Sequence, residues 1–459
     1  MTQNPPATAK DLIPFRQAVR AWAAISLQTF GGPAGQIAVM QNTLVDQKRW
    51  IGQGRFLHAL NFCMLLPGPE AQQLAIYIGW LLNGIRGGLV AGILFVLPGA
   101  AALLGLAALY VAYGETFLVT ALFAGLAPAV VAIVLQAVVR VGKRALGHPL
   151  LVGLAVAAFL ALAVFAVPFP VVVLAAGALG WLLFLRFPEV FSRAAHAGDE
   201  DDSARPVIPD DSLHDVEPSW RRAIAVLGVG LVLWAVPIGA AWWLTGRDGV
   251  LTEQGLFFSG TALVTFGGAY AVLAYVAQRA VEDYAWVTPG EMVKGLALAE
   301  TTPGPLIMVV QFVAFLGAYG DPGGLNPWTA AVLGALVTTW VTFVPCFVFI
   351  FLGAPYVERL RNNRKLSAVL TGITASVVGV IANLALFFAL ATLFASTRQL
   401  NLGVAQLRLP VLDTVQWAAV LVTAVACLLV FKLGWKVPRV LLACAALGLA
   451  VSSIGLVVG

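Results

Sequence analysis

Charged side chains are scarce in this sequence. Only 11% of its 459 residues are Asp, Glu, Lys or Arg, whereas hydrophobic residues make up 60%. Because a typical soluble domain carries roughly a quarter of charged residues, the composition excludes that class of protein. The small basic surplus, a net charge of +5, is spread over loops. It therefore indicates orientation in a membrane, and we expect no nucleic acid partner.

Histidine and cysteine are also rare, and neither type is clustered. The sequence has four histidines and four cysteines, and the cysteines lie in apolar stretches without metal-ligand spacing. It has no phosphate-binding Walker loop, no dinucleotide fingerprint and no HExxH motif. These absences argue against an ATP-driven pump or a metalloenzyme. We therefore expect no enzyme activity, no catalytic residues, no cofactor and no metal.

Long apolar segments are abundant instead. Runs near 20 residues, such as 151–167 and 223–243, recur along the chain, and each is about long enough to span the hydrocarbon core of a bilayer. The sequence predicts an all-α polytopic membrane protein surrounded by lipid.

One pattern of landmarks occurs twice. Phe30-Gly31-Gly32 is followed by Trp50 and then by Pro67-Gly68-Pro69. The same order returns in Phe266-Gly267-Gly268, Trp286 and Pro303-Gly304-Pro305, at a constant offset of 236 positions. An internal repeat of glycine- and proline-broken apolar segments is typical of transporters whose substrate site lies between two halves.

The repeat suggests a division of the chain into five parts. The acidic part contains Asp199-Glu200-Asp201-Asp202, and we interpret it as a flexible linker. The predicted parts are a cytoplasmic N-terminus (1–13), a first transporter repeat (14–192), an acidic cytoplasmic linker (193–222), a connecting transmembrane span (223–249) and a second transporter repeat (250–459).

Loop charges predict that the two repeats are inverted. The loop at 113–115 has no Lys or Arg, whereas its counterpart at 356–365 has four. Equivalent loops with opposite charge bias fit an inverted repeat, and the single extra span produces that inversion. About 13 spans are predicted, with two each in 14–84 and 250–320 and the others near 87–112, 117–139, 149–167, 171–187, 223–244, 328–354, 366–394, 413–431 and 438–457.

Each Pro-Gly-Pro motif predicts a break between two half-helices. Proline removes a backbone donor, and the residue before it avoids the helical region. A new helix begins with unpaired N–H groups and a partial positive charge. Two such N-termini meeting in mid-bilayer would bind an anion, and a small tetrahedral oxyanion suits backbone donors. The alternative is that the breaks only kink helices or permit close packing.

Candidate substrate-binding residues lie in and around the four broken segments. Threonine hydroxyls and side-chain amides there are possible additional donors, including Thr301 and Gln73. The predicted binding residues are Thr29, Phe30, Gly31, Gly32, Asn61, Pro67, Gly68, Pro69, Gln72, Thr265, Phe266, Gly267, Gly268, Lys294, Thr302, Pro303, Gly304 and Pro305.

Two carboxylates are candidates for proton coupling. Glu70 follows the first Pro-Gly-Pro motif, and Glu300 precedes the second by three positions. Aligned by the repeat they are not equivalent, so the predicted site is asymmetric in charge. A carboxylate inside a membrane is a functional candidate, although Glu70 equally fits a helix cap and either carboxylate a local ion pair. Lys294 shares a repeat position with His58 and fits an anion vestibule or an interfacial side chain.

The motifs resemble those of the chromate ion transporter family. The resemblance lies in TFGGPAG at 29–35, LPGPE at 66–70, TFGG at 265–268 and TTPGP at 301–305, and it extends over both halves, as in the long-chain two-domain members. It implies a plasma-membrane carrier that exports chromate, confers chromate resistance and depends on the proton-motive force, for example as an antiporter. The second half has no acidic residue after its Pro-Gly-Pro motif, unlike the first.

Two substrates remain open at this stage. The first hypothesis is a secondary active exporter of chromate, and the alternative is a carrier for uptake or exchange of sulfate or another oxyanion. A membrane-embedded enzyme or a lipid-handling protein would need a catalytic set or a lateral groove, and neither is visible in the sequence. A homodimer is a plausible assembly.

Overall fold

The structure is a computed structural model, and it describes residues 12–30, 32–188, 206–208, 219–266, 268–356, 364–403 and 405–454. The first half contains seven helices: α1 (Phe15–Ser26), α2 (Gly32–Gln41), α3 (Gln53–Cys63), α4 (Glu70–Tyr113), α5 (Phe117–Ala145), α6 (Pro149–Ala163) and α7 (Phe169–Arg186). The single helix α8 (Trp220–Thr245) follows.

The second half contains α9 (Val250–Val264), α10 (Ala269–Gln278), α11 (Pro289–Thr301), α12 (Val309–Gly320), α13 (Pro327–Gly353), α14 (Arg364–Leu393), α15 (Trp417–Cys427) and α16 (Val437–Ser453). The described residues also include π-helical segments at Asn42–Gln47, Arg279–Asp283 and Leu428–Lys432, and 3-10 turns at Leu306–Met308, Ala354–Tyr356 and Leu412–Thr414.

Helix α4 is two antiparallel arms. Asn83 and Gly84 have non-helical backbone angles, with φ of +59° at Gly84. The arms touch so closely that a Cβ atom placed on Gly79 would lie 2.6 Å from Cβ of Ala91. The arms 70–82 and 85–113 therefore correspond to α12 and α13. With that correspondence, α1–α7 and α9–α16 follow the same order, and α8 has no counterpart.

All four glycine- and proline-rich motifs lie between helices. α1 ends and α2 begins around the first Phe-Gly-Gly motif, and α9 and α10 flank the second. The Pro-Gly-Pro motifs separate α3 from α4, and α11 from the 3-10 turn that leads into α12. The prediction of broken helices is confirmed at these positions. The short helices α1–α3 and α9–α12 have 10 to 15 residues, so each is about 15–22 Å long, less than the bilayer core.

The two halves exchange their last helices. A Cβ atom on Gly125 of α5 would clash with the backbone of α16 at Cys444 and Gly448. The equivalent contact joins α7 to α14, where a Cβ atom on Gly180 would lie 2.9 Å from Cα of Gly372. Because glycine alone permits this approach, each half is packed directly onto the other.

Six helices are long and apolar enough to cross a membrane, judged on the described residues: α4, α5, α7, α8, α13 and α14. The remaining apolar helices are shorter. Helix α8 is mostly exposed, with Trp243 85% accessible, as expected for a surface that faces lipid. The structure thus agrees with an all-α membrane protein. The total of 13 spans and the inversion of the repeats remain predictions.

A β-hairpin was not predicted. Strands β1 (Thr397–Leu402) and β2 (Ala405–Pro410) pair antiparallel between α14 and α15, where we expected only a loop. Polar and apolar residues alternate in β2 and in the second half of β1, and Gly403 lies between the strands with φ of +71°. That alternation was the available signal. The hairpin is anchored by Gln406 N–H, which donates to Val164 O over 2.7 Å.

Part of the acidic linker is docked onto the first half. Ile208 N–H donates to Trp50 O over 3.0 Å, and Ile208 O accepts from Gly52 N–H over 3.1 Å. Ile208 is 6% exposed and packs into the same core as Trp50. The expectation of a wholly flexible linker is therefore wrong at 206–208. The segments 193–205 and 209–218 lie outside the described residues.

Candidate functional site

Two backbone hydrogen bonds tie the halves together at the breaks. Gly68 N–H donates to Thr265 O over 2.8 Å, and Gly304 N–H donates to Thr29 O over 2.9 Å. The two bonds are reciprocal, because each Pro-Gly-Pro glycine reaches the threonine before the other half's Phe-Gly-Gly motif. These two amides are consequently not offered to a ligand, which corrects the expectation that every broken point presents free N–H groups.

The backbone at the breaks requires glycine. The φ angles are +73° at Gly32, +122° at Gly68, +103° at Gly268 and +105° at Gly304. Residues with a Cβ atom rarely adopt this region. The repeated glycines therefore follow from backbone geometry.

Side-chain amides complete the backbone hydrogen bonding. Gln36 Nε2 donates to Gly304 O, and Gln73 Nε2 donates to Pro67 O over 2.6 Å. Gln36 thus links α2 of the first half to the break of the second. One carbonyl oxygen of each Pro-Gly-Pro motif is in this way satisfied within the protein, as a membrane interior demands.

Each Pro-Gly-Pro break also packs against a proline-containing helix of the other half. A Cβ atom on Gly99, which follows Pro98 in α4, would lie 2.4 Å from Pro303 O. A Cβ atom on Gly68 would lie 2.9 Å from Sγ of Cys346, which follows Pro345 in α13. The breaks are therefore rigidly supported on both sides.

The residues that follow the four breaks meet around one small cavity with an empty volume of about 250 Å³. It is lined by Pro33, Gln36, Pro69, Glu70, Ala71, Gly268, Ala269, Pro305, Leu306 and Ile307. The beginnings of α2, α4 and α10 and the 3-10 turn before α12 thus converge. Of the predicted residues, Pro69, Glu70, Gly268 and Pro305 lie in this lining.

Helix N-termini give the cavity a positive character. Pro69, Gly268 and Pro305 precede α4, α10 and the 3-10 turn, and none of these three starts has a side-chain cap. First-turn amides without caps carry partial positive charge and accept an anion. The helix starts therefore favour negative charge in the cavity.

Glu70 places a carboxyl group at the edge of this cavity. It is the first residue of α4 and lines the cavity. A Cβ atom on Gly268 would lie 3.6 Å from Glu70 Oε1. The carboxyl group of the first half therefore lies beside the break of the second half.

Glu300 is buried and paired with a tyrosine. It is 1% exposed, and its Oε1 accepts a hydrogen bond of 2.6 Å from the hydroxyl of Tyr270. Oε2 has no hydrogen-bond partner among the described residues. A Cβ atom on Gly32 would lie 3.6 Å from the Tyr270 hydroxyl. Tyr270 was not singled out from the sequence.

The threonine hydroxyls are occupied within their own helices. Each donates to a carbonyl three or four residues back: Thr29 to Ser26 O, Thr265 to Thr261 O, Thr301 to Leu298 O and Thr302 to Ala299 O. Such bonds satisfy carbonyls at helix C-termini. The expectation that these hydroxyls donate to a substrate is therefore not supported by their geometry.

Asn61 and Lys294 are two of the predicted residues that do not line the cavity. Asn61 is exposed on α3. Lys294 Nζ donates to the Tyr110 hydroxyl over 3.2 Å and lies over the rings of Tyr110 and Phe123. Lys294 thus contacts α4 and α5 of the first half, which corrects its expected position at the substrate.

The remaining predicted residues surround the breaks. Gln72 is fully buried, and neither of its amide atoms has a partner among the described residues. Phe30 and Phe266 are half-buried. Gly31 and Gly267 lie outside the described residues.

Six residues of the lining were missed: Pro33, Gln36, Ala71, Ala269, Leu306 and Ile307. All follow a predicted break within five positions. Their side chains are mostly apolar, so residue type carried no signal. Their position in the first turn after a break was the available indication.

A separate apolar groove lies between α7 and α14, with an empty volume of about 630 Å³. Its lining includes Leu174, Trp181, Phe266 and Ile373. It offers no polar side chain to an anion. In the described part of the chain, no group of three or more His, Cys, Asp or Glu side chains could hold a metal ion.

Comparison with known proteins relates the whole chain to one family. The family model described as chromate transporter matches residues 16–181 and 252–449, one segment in each half. No solved structure matches the chain.

Three curated relatives extend over most of the chain. A chromate transport protein of Pseudomonas aeruginosa is 32% identical over 376 residues, which are 80% of this chain and 79% of the relative. A chromate transport protein of Cupriavidus metallidurans is 28% identical, and the match covers 80% of this chain and 80% of that protein. A probable chromate transport protein of Synechococcus elongatus is 25% identical over 80% of this chain and 83% of its own. The chain is therefore a multi-pass membrane protein that belongs to the chromate transporter family.

Proposed function

We propose that this protein is a secondary active transporter that exports chromate across the plasma membrane and so confers chromate resistance. The observation that carries the proposal is the convergence of four helix starts, two from each half, on one small cavity. The family membership supports chromate as the substrate.

The chemistry of the cavity fits a small oxyanion. Uncapped amides at α4, α10 and the 3-10 turn replace part of the hydration shell of an anion. The cavity is too small for a lipid or a large organic anion. Chromate and sulfate are both tetrahedral dianions, so the same backbone donors serve either.

The transport cycle we propose is alternating access. The two halves rock about a cavity that both of them build, and the inversion of the repeats predicted from the loop charges would give two similar outward- and inward-facing arrangements. The reciprocal bonds Gly68–Thr265 and Gly304–Thr29 hold the breaks together at the centre. The exchanged helices transmit the movement of one half to the other.

The membrane potential favours export. Moving one elementary charge through 100 mV changes the free energy by about 2.3 kcal/mol, so a dianion gains about 4.6 kcal/mol. An interior-negative potential therefore drives chromate outwards. Glu70 adds a dependence on pH, because its ionised form repels a bound anion and its protonated form does not.

Reconstituted vesicles test this function. We expect chromate movement to require the protein and to increase with membrane potential. Chromate affinity should rise as the pH falls, and Glu70→Gln should weaken that dependence because the amide is neutral at every pH. Glu115→Gln, in an exposed loop, is the matched control. Absence of protein-dependent chromate movement would contradict the function.

Competition separates the two substrates. Radiolabelled sulfate uptake and chromate uptake are measured in the same vesicles, each with the other anion in excess. Preference for chromate supports the proposal. Transport of sulfate that chromate does not inhibit would favour the sulfate carrier. Cytoplasmic chromate in cells with and without the protein determines the direction of transport.

A further inference from the structure

The acidic residues of the two halves are not equivalent in the repeat, yet each half places one side-chain oxygen atom beside the same glycine of the other half. Gly32 and Gly268 are equivalent in the repeat, and a Cβ atom on either would lie 3.6 Å from an oxygen of the other half. At Gly268 this oxygen is Glu70 Oε1, and at Gly32 it is the hydroxyl of Tyr270. A glutamate carboxylate and a tyrosine hydroxyl thus occupy equivalent positions in the two halves, although the two residues are not equivalent in the sequence repeat.

We propose that Tyr270 binds the transported oxyanion through its hydroxyl, and that Glu300 is a positioning residue that controls this donor. This inference rests on the proposed function and assigns a residue to it. The hydroxyl lies beside Gly32, the first residue of α2, and the adjacent Pro33 lines the cavity. Tyr270 itself belongs to the first turn of α10, whose start also lines the cavity.

Glu300 controls Tyr270 because the tyrosine hydroxyl has only one hydrogen atom to donate. A tyrosine hydroxyl has one donor hydrogen, and here it is given to Glu300 Oε1 over 2.6 Å. When Glu300 is protonated, its own O–H donates to the tyrosine oxygen. The tyrosine hydrogen is then released and turns towards an anion in the cavity. Protonation of Glu300 therefore adds a substrate donor without placing a charge beside the substrate.

The surroundings of the pair contain few other charges. Arg140 of α5 is close enough to act electrostatically on Glu300 and Tyr270. Glu70 is the acidic residue of the cavity lining. Because Glu70 also makes anion binding depend on pH, the contribution of Glu300 must be measured in a Glu70→Gln background.

The test is equilibrium binding of chromate to the purified full chain as a function of pH. In the Glu70→Gln background, Tyr270→Phe removes only the hydroxyl and should weaken chromate binding at low pH about tenfold, equivalent to about 1.4 kcal/mol. The pH dependence that remains beyond the protonation of chromate itself should disappear with it. Tyr275→Phe is the matched control, because Tyr275 lies on the same helix and stacks on Phe169 at 5.6 Å; it should leave the affinity unchanged.

Glu300→Gln provides an independent arm that retains the tyrosine. Its amide N–H₂ donates to the tyrosine oxygen, so chromate affinity at high pH should rise to the low-pH value. The double variant with Tyr270→Phe should bind like Tyr270→Phe alone, because two residues that act as a unit are not additive.

Two results would overturn the inference. In the first, Tyr270→Phe has the same chromate affinity and pH profile as Tyr275→Phe. In the second, Glu300→Gln binds chromate more weakly at high pH. Failure of the proposed function is a different result. In that case the unmodified protein itself neither binds nor transports chromate.

Discussion

Gly304 shows why single residues at the breaks tolerate no side chain. Its φ is +105°, and a Cβ atom there would lie 3.2 Å from Cα of Gly99. Both the backbone angle and the contact with another backbone oppose substitution, and neither can relax through a flexible side chain.

We therefore expect Gly304→Ala to destabilise the protein by about 1–3 kcal/mol, the usual magnitude of such backbone strain. Thermal unfolding in detergent measures the effect. Gly105→Ala is the control, because Gly105 lies in α4 with open space around its Cβ position. Equal melting temperatures for the two variants would show that the break absorbs the side chain.

The sequence identified the glycines of the breaks but not their partners. A break is expected where Gly lies between two prolines, since proline keeps the residue before it out of the helical region. The acceptor of Gly68 N–H, however, is Thr265, nearly 200 positions away. Local patterns contain no information about that pairing. Tyr270 was missed for the same reason. It attracts attention only through its contacts with Glu300 and Gly32, which the local sequence does not reveal.

The docked segment Pro206–Ile208 attaches part of the acidic linker to the first half. It adds one parallel bridge, Ile51 with Ile208, beside the loop that connects the broken helices of the first half. Ile208 is 6% exposed, whereas Val207 is 45% exposed. The apolar burial of Ile208 therefore provides most of the attachment.

Ile208→Ala should release this segment, because it removes most of the buried side chain. Hydrogen exchange at the amides of Ile208 and Gly52 should become faster by at least tenfold. Val207→Ala, on the exposed side, should leave both amides protected. Unchanged protection in Ile208→Ala would mean that backbone bonds alone hold the segment.

The broken helices could be predicted from sequence, whereas the hairpin at 397–410 was missed. Proline and glycine act locally, so breaks could be predicted where both occur together in one motif, whereas single prolines such as Pro98 and Pro345 lie within helices. The hairpin alternates only over six residues per strand, next to much longer apolar runs. Its position also depends on Val164 and on the ion pair of Arg408 with Glu282, which are distant contacts.

The arrangement of the whole molecule yields a topology test. If the repeats are inverted, the loop at Glu115 faces outside and the equivalent start of α14 at Lys365 faces inside. Single cysteines introduced by Glu115→Cys and Lys365→Cys, in a protein without native cysteines, should react with an impermeant maleimide from opposite sides. Both positions are exposed. Labelling from the same side would rule out inversion.

The packing of the halves has a consequence for stability. Gly125 with Gly448, and Gly180 with Gly372, bring helices of different halves into backbone contact. Neither half can complete its own surface without the other. The two halves are therefore expected to unfold as one cooperative unit. The sequence repeat alone is equally compatible with two separate domains.

Composition and local chemistry were sufficient for the membrane class, the repeat and the four breaks, because apolar length and the backbone limits of proline and glycine act within a few residues. The cavity, the cross-half hydrogen bonds and the Tyr270–Glu300 pair depend on contacts between residues far apart in the chain. Such contacts form only when the helices pack, so the folded arrangement alone decides which of the many polar residues come together at the breaks.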